Sequence, residues 1–316
     1  MHYLGLDIGG TSVKAGLVDE AGRVLESHRA PTVTDDLDGF LSTLTELIRQ
    51  FQKTAAIDGI GVGVPGLRSS KTHTIETSPN IRCLKKINLE ELLADQVHIR
   101  VVTENDANAA AYGEFICGAG VGLQHMAHLT LGTGLGSGLV LNGRLFTGAS
   151  GYGGEFGHTV LSVTAPGQNT ATTGRLCACG NRGCVEVFVS ATGIVMTAEE
   201  MMKDTPDSLL HGVEWPLTSE KIYEVAARGD ATAQGVFRQT GRYLGIACAN
   251  LINLLNPEMI VIGGGVMAAG DLLMYSVQAA AKSHSFPSSY ADCRIVQSKL
   301  WPDAGVIGAA MLARDR

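Results

Sequence analysis

The chain has 316 residues, enough for about two domains with cores of their own. Its 24 basic and 31 acidic residues leave a formal charge of −7, with no basic run or aromatic-interleaved patch. This argues against nucleic acid as a partner and requires any anionic ligand to be held locally. No unbroken apolar stretch is long enough to span a bilayer, and Met1-His2-Tyr3 leads straight into a strand-like run without a signal-peptide pattern. Cys83, Cys117, Cys248 and Cys293 are scattered in apolar or mixed contexts and read as reduced, buried thiols, so a cytoplasmic protein with no membrane partner is expected.

In chain order, residues 3–6 and 13–18 alternate around Asp7-Ile8-Gly9-Gly10-Thr11, and residues 24–27 follow a turn at Ala21-Gly22, which predicts a three-stranded meander with a glycine-rich first hairpin. Phe40, Leu44, Leu47, Ile48 and Phe51 recur at helical spacing. Short buried strands are predicted over 60–64, ending at Pro65-Gly66, and over 99–103, ending at Glu104-Asn105-Asp106; the alanine-rich stretch 107–115 is helical. The pattern then restarts. Residues 127–131 enter Gly132-Thr133-Gly134-Leu135-Gly136-Ser137-Gly138, residues 139–141 leave it, and Asn142-Gly143 turns into 144–146. This repetition predicts a duplicated α/β unit with a hinge near Gly118-Ala119-Gly120. A helix over 231–255, a strand over 259–262 running into Gly263-Gly264-Gly265, and a last helix over 305–314 complete the chain.

The sharpest local signal is Cys177-Ala178-Cys179-Gly180-Asn181-Arg182-Gly183-Cys184, with His158 upstream in Gly154-Glu155-Phe156-Gly157-His158. Three thiolates and one imidazole complete a closed, tetrahedral zinc site, and Gly180 and Gly183 permit the turns that gather the sulfurs. A disulfide is the rival reading, but the step from Cys177 to Cys179 strains a bridge and the total of seven cysteines is odd. By spacing alone His125 and His128 compete with His158 as the fourth ligand.

Two glycine hairpins can clamp a phosphate, because successive backbone N–H groups bind anions without net positive charge; each alone is equally a plain tight turn. The chain lacks Gly-x-x-x-x-Gly-Lys-Ser/Thr, and residues 132–138 lack the helix and downstream acid of a dinucleotide fingerprint.

Asp7-x-Gly9-x-Thr11, Glu104-Asn105-Asp106, Leu131-Gly132-Thr133-Gly134, Gly154-Glu155-Phe156-Gly157-His158, the cysteine cluster running on to Glu186, and Ile262-Gly263-Gly264-Gly265 occur in the order seen in the ROK family of sugar kinases and repressors. The resemblance covers essentially the whole chain. The cysteine segment is its most specific part, and Thr77-Ser78-Pro79-Asn80 resembles the bacterial glucokinase subgroup.

The resemblance implies duplicated ribonuclease-H-like, actin-like ATPase domains with an interdomain cleft: residues 1–117, completed by a C-terminal helix over 304–316, and residues 118–303 carrying the zinc knuckle. It implies an ATP-dependent kinase acting on the 6-hydroxyl of a hexose, with glucose first and N-acetylglucosamine or N-acetylmannosamine as alternatives. Asp106 would be the catalytic base, at the first turn of a helix whose dipole favours its ionised form; on sequence grounds it could also be an N-cap. Gly66, Asn80, Asn105, Glu155, His158 and Glu186 would join Asp106 in binding the sugar. Asp7, Gly9, Gly10, Thr11, Lys14, Thr133, Gly134, Gly264 and Gly265 would bind ATP, Asp7 holding Mg²⁺ through water, and His158, Cys177, Cys179 and Cys184 would hold structural Zn²⁺. A homodimer or homotetramer is implied.

The segment 159–176 is longer than in many glucokinase-like members and keeps the N-acetylhexosamine alternative open. A non-catalytic sugar-binding regulator is the reading from another class. The family's repressors carry an N-terminal helix-turn-helix domain, and here the first hairpin begins within ten residues of Met1, which leaves no room for one.

Overall fold

The computed structural model describes residues 1–161 and 174–316; most of the long segment 159–176 lies outside the described residues. The strands are β1 (His2–Ile8), β2 (Ser12–Asp19), β3 (Val24–Pro31), β4 (Gly59–Val64), β5 (Leu67–Arg68), β6 (Ile75–Thr77), β7 (Val101–Asn105), β8 (Met126–Leu131), β9 (Leu135–Leu141), β10 (Arg144–Phe146), β11 (Met259–Gly263) and β12 (Arg294–Gln297). The helices are α1 (Leu37–Gln52), α2 (Leu89–Val97), α3 (Asp106–Cys117), α4 (Glu186–Val189), α5 (Ala191–Met202), α6 (Ser219–Ala227), α7 (Ala231–Leu255), α8 (Asp271–His284), α9 (Pro287–Asp292) and α10 (Ala304–Asp315).

Two five-stranded sheets carry the same plan. The first is ordered β3-β2-β1-β4-β7 and the second β10-β9-β8-β11-β12. In the first, β1 pairs antiparallel with β2 and parallel with β4, and β4 pairs parallel with β7. In the second, β10 pairs antiparallel with β9 and β11 parallel with β12. The predicted duplication is therefore present in the strand order itself.

The chain divides into two compact units, one of residues 1–128, 137–154 and 298–316, the other of residues 129–136 and 155–297. In the first unit, α1 and α2 bury Phe40, Leu44, Ile48, Phe51, Leu89 and Leu93 against one side of the first sheet. Helix α10 packs with α3 and lies on β1 and β4. It approaches so closely that a Cβ at Gly61 would stand 1.7 Å from the Ala309 carbonyl oxygen, and only glycine allows that contact.

Helix α2 ends with His98 in the left-handed region, at φ 55°. The strand predicted over 99–103 consequently starts later, at Val101, and runs to Asn105. Residues 118–120 close the end of α3: Gly118 and Gly120 donate to the Glu114 carbonyl, and the Ala119 N–H donates to the Glu114 side chain at 2.8 Å.

In the second unit α7 is the central helix and packs on α8, α5, α6 and α4. It starts at Asp230, whose carboxylate accepts from Ala233 N at 2.8 Å, Leu209 N at 2.8 Å and the Ser208 hydroxyl at 3.0 Å. Burial pushes this carboxyl up, but the donors outweigh it and hold its pKa below the usual range. A depressed folded pKa means that the contribution is present above the unfolded pKa of about 3.9 and is lost as the pH falls through the folded value. Asp230→Ala should therefore cost about 1 kcal/mol at pH 7 in urea unfolding, a cost that shrinks below pH ~4. An unchanged cost at acid pH would count against the ionised cap. Among the described residues, no helix is long and apolar enough to cross a membrane.

Candidate active site

In the first unit the β1–β2 hairpin closes with Gly9 N donating to Ser12 O at 3.0 Å, and Thr32 Oγ1 ties the turn by bonding Gly9 O at 2.7 Å. Gly10 and Thr11 are exposed at its tip. A Cβ on Gly10 would lie 3.3 Å from that of Asn80, so the hairpin and Asn80 are neighbours. Asp7, paired in register with Lys14, is partly buried. Burial, reinforced by the Asp106 carboxylate and opposed by Lys14, pushes its carboxyl up to about 7. Lys14 itself is committed nearby, donating to Pro302 O at 2.9 Å and to the Asp303 carboxylate. This places it beside Asp7 while its ammonium holds the segment that leads into α10.

The turn between β7 and α3 is built around Asn105. Asn105, not Asp106, is the N-cap: its Oδ1 accepts from Asn108 N at 3.1 Å, and its Nδ2 donates to Gly66 O at 3.1 Å. Gly66 sits at φ 120°, where a side chain would be strained. Asp106 is the first residue of the helix, its Oδ1 accepting from Ala107 N at 2.9 Å, and the positive end of α3 favours its ionised form. Asn80, Gly66, Asn105, Asp106 and Asp7 are thus linked through one unit.

In the second unit the β8–β9 turn closes through Gly132 N to Gly134 O at 3.0 Å and is tied to the start of α5, since Ala191 N donates to Gly132 O at 2.9 Å and Thr192 Oγ1 to Thr133 O at 3.1 Å. Glu186 Oε2 accepts from Leu135 N at 2.9 Å, beside Gly134, where a Cβ would fall 2.3 Å from that oxygen. Gly264, at φ 92°, lies against the Leu131 backbone, and Gly265 opens a short 3₁₀ turn over Gly265–Ala269.

The cysteine cluster belongs to the same unit. Cys177 N donates to Asn181 O at 2.8 Å and Gly180 N to Cys177 O at 3.0 Å, with Gly180 and Gly183 at φ 91° and 73°. An antiparallel bridge between Val160 and Cys184, flanked by Leu161 N to Gly183 O at 2.8 Å and Val185 N to Thr159 O at 2.9 Å, lays the His158 segment along the knuckle. Of the three histidines, this pairing brings His158 beside the sulfurs. His128 is buried in β8 near Glu114, and His125 Nδ1 accepts from Asn142 N at 3.4 Å.

All seven cysteines are free thiols. The ligand atoms of His158, Cys177, Cys179 and Cys184 lie within 4.8 Å of one another. Cys179 Sγ is 3.7 Å from Cys184 Sγ, and Cys177 Sγ is 3.7 Å from His158 Nδ1. A tetrahedron with bonds of zinc length has edges of about 3.6–3.8 Å, so the four groups can hold such an ion. Burial pushes the Cys177 thiol up to about 12 and Cys184 up as well, so these two sulfurs would be ionised only with a divalent ion held beside them.

The other ring nitrogen of His158, Nε2, lies 3.9 Å from Glu155 Oε2. Burial pushes the Glu155 carboxyl up, Glu186 adding to the effect and His158 opposing it. Glu186 Oε1 is 3.6 Å from Cys177 Sγ. Glu186 therefore links knuckle and hairpin, a connection that the sequence reading did not anticipate. Arg175 was missed as well. Its guanidinium, 9% exposed, bonds Glu200 at 2.7 Å, Thr197 at 2.9 Å, Val187 O at 2.8 Å and Gly193 O at 3.2 Å, and lies 4.9 Å from the Phe188 ring centroid. It fastens the knuckle to α4 and α5.

The sequence profile of the ROK family matches residues 3–316. The chain belongs to the ROK family. It is 36% identical to the glucokinase of Halalkalibacterium halodurans, over 99% of this chain and 95% of that one, and 33% identical to the glucokinase of Thermotoga maritima, over 100% and 98%. Among solved structures it is similar to a ROK family glucokinase from Streptomyces griseus in complex with glucose and AMPPNP, with a TM-score of 0.86 and 31% identity over the full length of both chains. This ROK chain has the actin-like ATPase fold, to which its two sheets of matching order belong.

Proposed function

We propose that the chain is an ATP-dependent hexose kinase that phosphorylates the 6-hydroxyl of glucose. The observation that carries this reading is Asp106, an acid at the first position of α3, fixed behind the Asn105 cap and next to Asp7. Phosphoryl transfer asks for alignment, charge stabilisation and one proton acceptor. Asp106 accepts the proton of the attacking hydroxyl. Gly66, Asn80, Asn105, Glu155, His158 and Glu186 are assigned to sugar hydroxyls, carboxylates suiting them because each can accept several hydrogen bonds. Gly9, Gly10, Thr11, Thr133 and Gly134 are assigned to the phosphates, and Gly264 and Gly265 to the adenosine. Lys14 is assigned to Asp7 and the approach to α10 rather than to a phosphate.

Asp7 would hold Mg²⁺ through water, the ion neutralising charge on the transferred phosphate. We further assign zinc to His158, Cys177, Cys179 and Cys184. With four protein ligands it has no open position, so its part is to hold Glu155 and Glu186 in place. The family resemblance also supports a homodimer or homotetramer in the cytoplasm, which light scattering and cell fractionation test.

A coupled assay with ATP and Mg²⁺ against glucose, mannose, fructose, allose, N-acetylglucosamine and N-acetylmannosamine tests the reading. Turnover strongest on glucose is expected. Turnover on none of the sugars would sink the kinase assignment, and a preference for an N-acetylated sugar would replace glucose. The metal assignment has a check in Gly305, where a Cβ would fall 2.6 Å from the Asp7 carboxylate. Gly305→Ala should destabilise the protein by about 1–3 kcal/mol and raise the Mg²⁺ needed for half-maximal rate. An unchanged Mg²⁺ requirement would remove Asp7 from that role.

A further inference from the structure

The Glu104 carboxylate is 4% exposed and sits at the end of β7, next to the two residues assigned to sugar and proton. Its Oε1 accepts from Asn105 N at 3.0 Å and from Asn108 Nδ2 at 3.2 Å, and its Oε2 accepts from a guanidinium nitrogen of Arg316 at 2.9 Å. Asn108, 2% exposed, in turn donates its backbone N–H to the Asn105 side chain, whose amide reaches the Gly66 carbonyl. A continuous set of bonds therefore runs from Arg316 through Glu104 to the backbone of Asn105 and, by way of Asn108, to its side chain and the Gly66 turn.

A buried carboxylate is costly unless it is paired and its oxygens are satisfied. Here Arg316 supplies the charge and the β7–α3 turn supplies the remaining donors. Helix α10 brings Arg316 to this point while its first turn sets Gly305 against Asp7, so one helix borders both Asp7 and Glu104. The Glu104 oxygens are taken up by Asn105, Asn108 and Arg316.

We infer that Glu104, charge-balanced by Arg316, is a positioning residue that sets Asn105 and Asp106 for phosphoryl transfer. This rests on the kinase reading above. Misplacing a reacting group by about 1 Å can cost up to ~100-fold in rate, so loss of the pair should be read in kcat.

The experiment is a double-mutant cycle on the full chain with Glu104→Gln and Arg316→Ala, assayed with glucose and ATP, with Arg316→Lys as the conservative variant. Each single change is expected to lower kcat about tenfold while KM for ATP changes less than about twofold. The double variant should be no worse than either single one, because both break the same link, and Arg316→Lys should recover most of the rate. If Arg316→Ala lowers the melting temperature but keeps the kcat of the folded enzyme, or if the two losses multiply, the positioning role is overturned while the kinase reading stands. If the unmodified chain phosphorylates no hexose, the kinase reading falls and the inference falls with it.

Discussion

Asp106→Asn is expected to lower kcat for glucose by about 10²–10⁴, the usual worth of a positioned proton acceptor. The fold should survive, because the asparagine oxygen can still accept the Ala107 N–H that Asp106 Oδ1 accepts now, and Asn105 remains the helix cap. Glucose affinity, followed by calorimetry, should stay within a few fold, since the change removes basicity rather than a hydrogen-bonding position. A variant that retains the full rate would mean that another group takes the proton, and one that loses glucose binding equally would mean that Asp106 serves binding rather than chemistry.

Cys179→Ser should act through a different route. Cys179 is exposed, so the exchange would ordinarily change stability by no more than about 0.5 kcal/mol. As one of the four ligands proposed for zinc, however, its loss should abolish metal binding, and chelation of the unmodified protein should have the same effect. The expected outcome is metal content near zero, a melting temperature several degrees lower, and KM for glucose raised about 10–100-fold, the range seen when the support around a bound metal is lost. The reason is the connectivity of the knuckle. His158 is adjacent to Glu155, Glu186 lies against Cys177, and Glu186 also holds Leu135 at the second hairpin. Full metal content in the variant, or an unchanged KM after chelation, would detach the cluster from the sugar. Asp106 and Cys179 thus separate cleanly: one loss should fall on kcat, the other on affinity and stability together.

Much of the scaffold was legible because its signals are local. The two glycine hairpins, the α1 stripe of Phe40, Leu44, Leu47, Ile48 and Phe51, and the long helix over residues 231–255 all appear as periodicity or composition within a short window. The β5–β6 hairpin did not, since strands of two and three residues have no period to read. Strand β12 was likewise hidden: it is four residues long and is defined by its parallel partner β11, far away in sequence. The shift of β7 toward Asn105 came from the left-handed His98, a backbone choice made by the end of α2 rather than by the strand.

At the site the same division holds. Residue type and spacing singled out the hairpin glycines and the three clustered cysteines, because turns and metal knuckles are built from neighbours in the chain, while Asp7, Asn105 and Asp106 were assigned through the resemblance to the ROK family. Tertiary structure decided the rest. The bridge from Val160 to Cys184 brought His158, rather than His125 or His128, beside the cysteines. The cap fell to Asn105, leaving the Asp106 carboxyl on the helix end; Lys14 was drawn to Asp303, and Glu186 was placed on both knuckle and hairpin. Arg316 reaches Glu104 across 212 residues. Such side-chain pairs leave no periodic trace in a sequence, since what selects them is the cost of burying a charge or a polar group unpaired, and that cost exists only once the chain has folded around it.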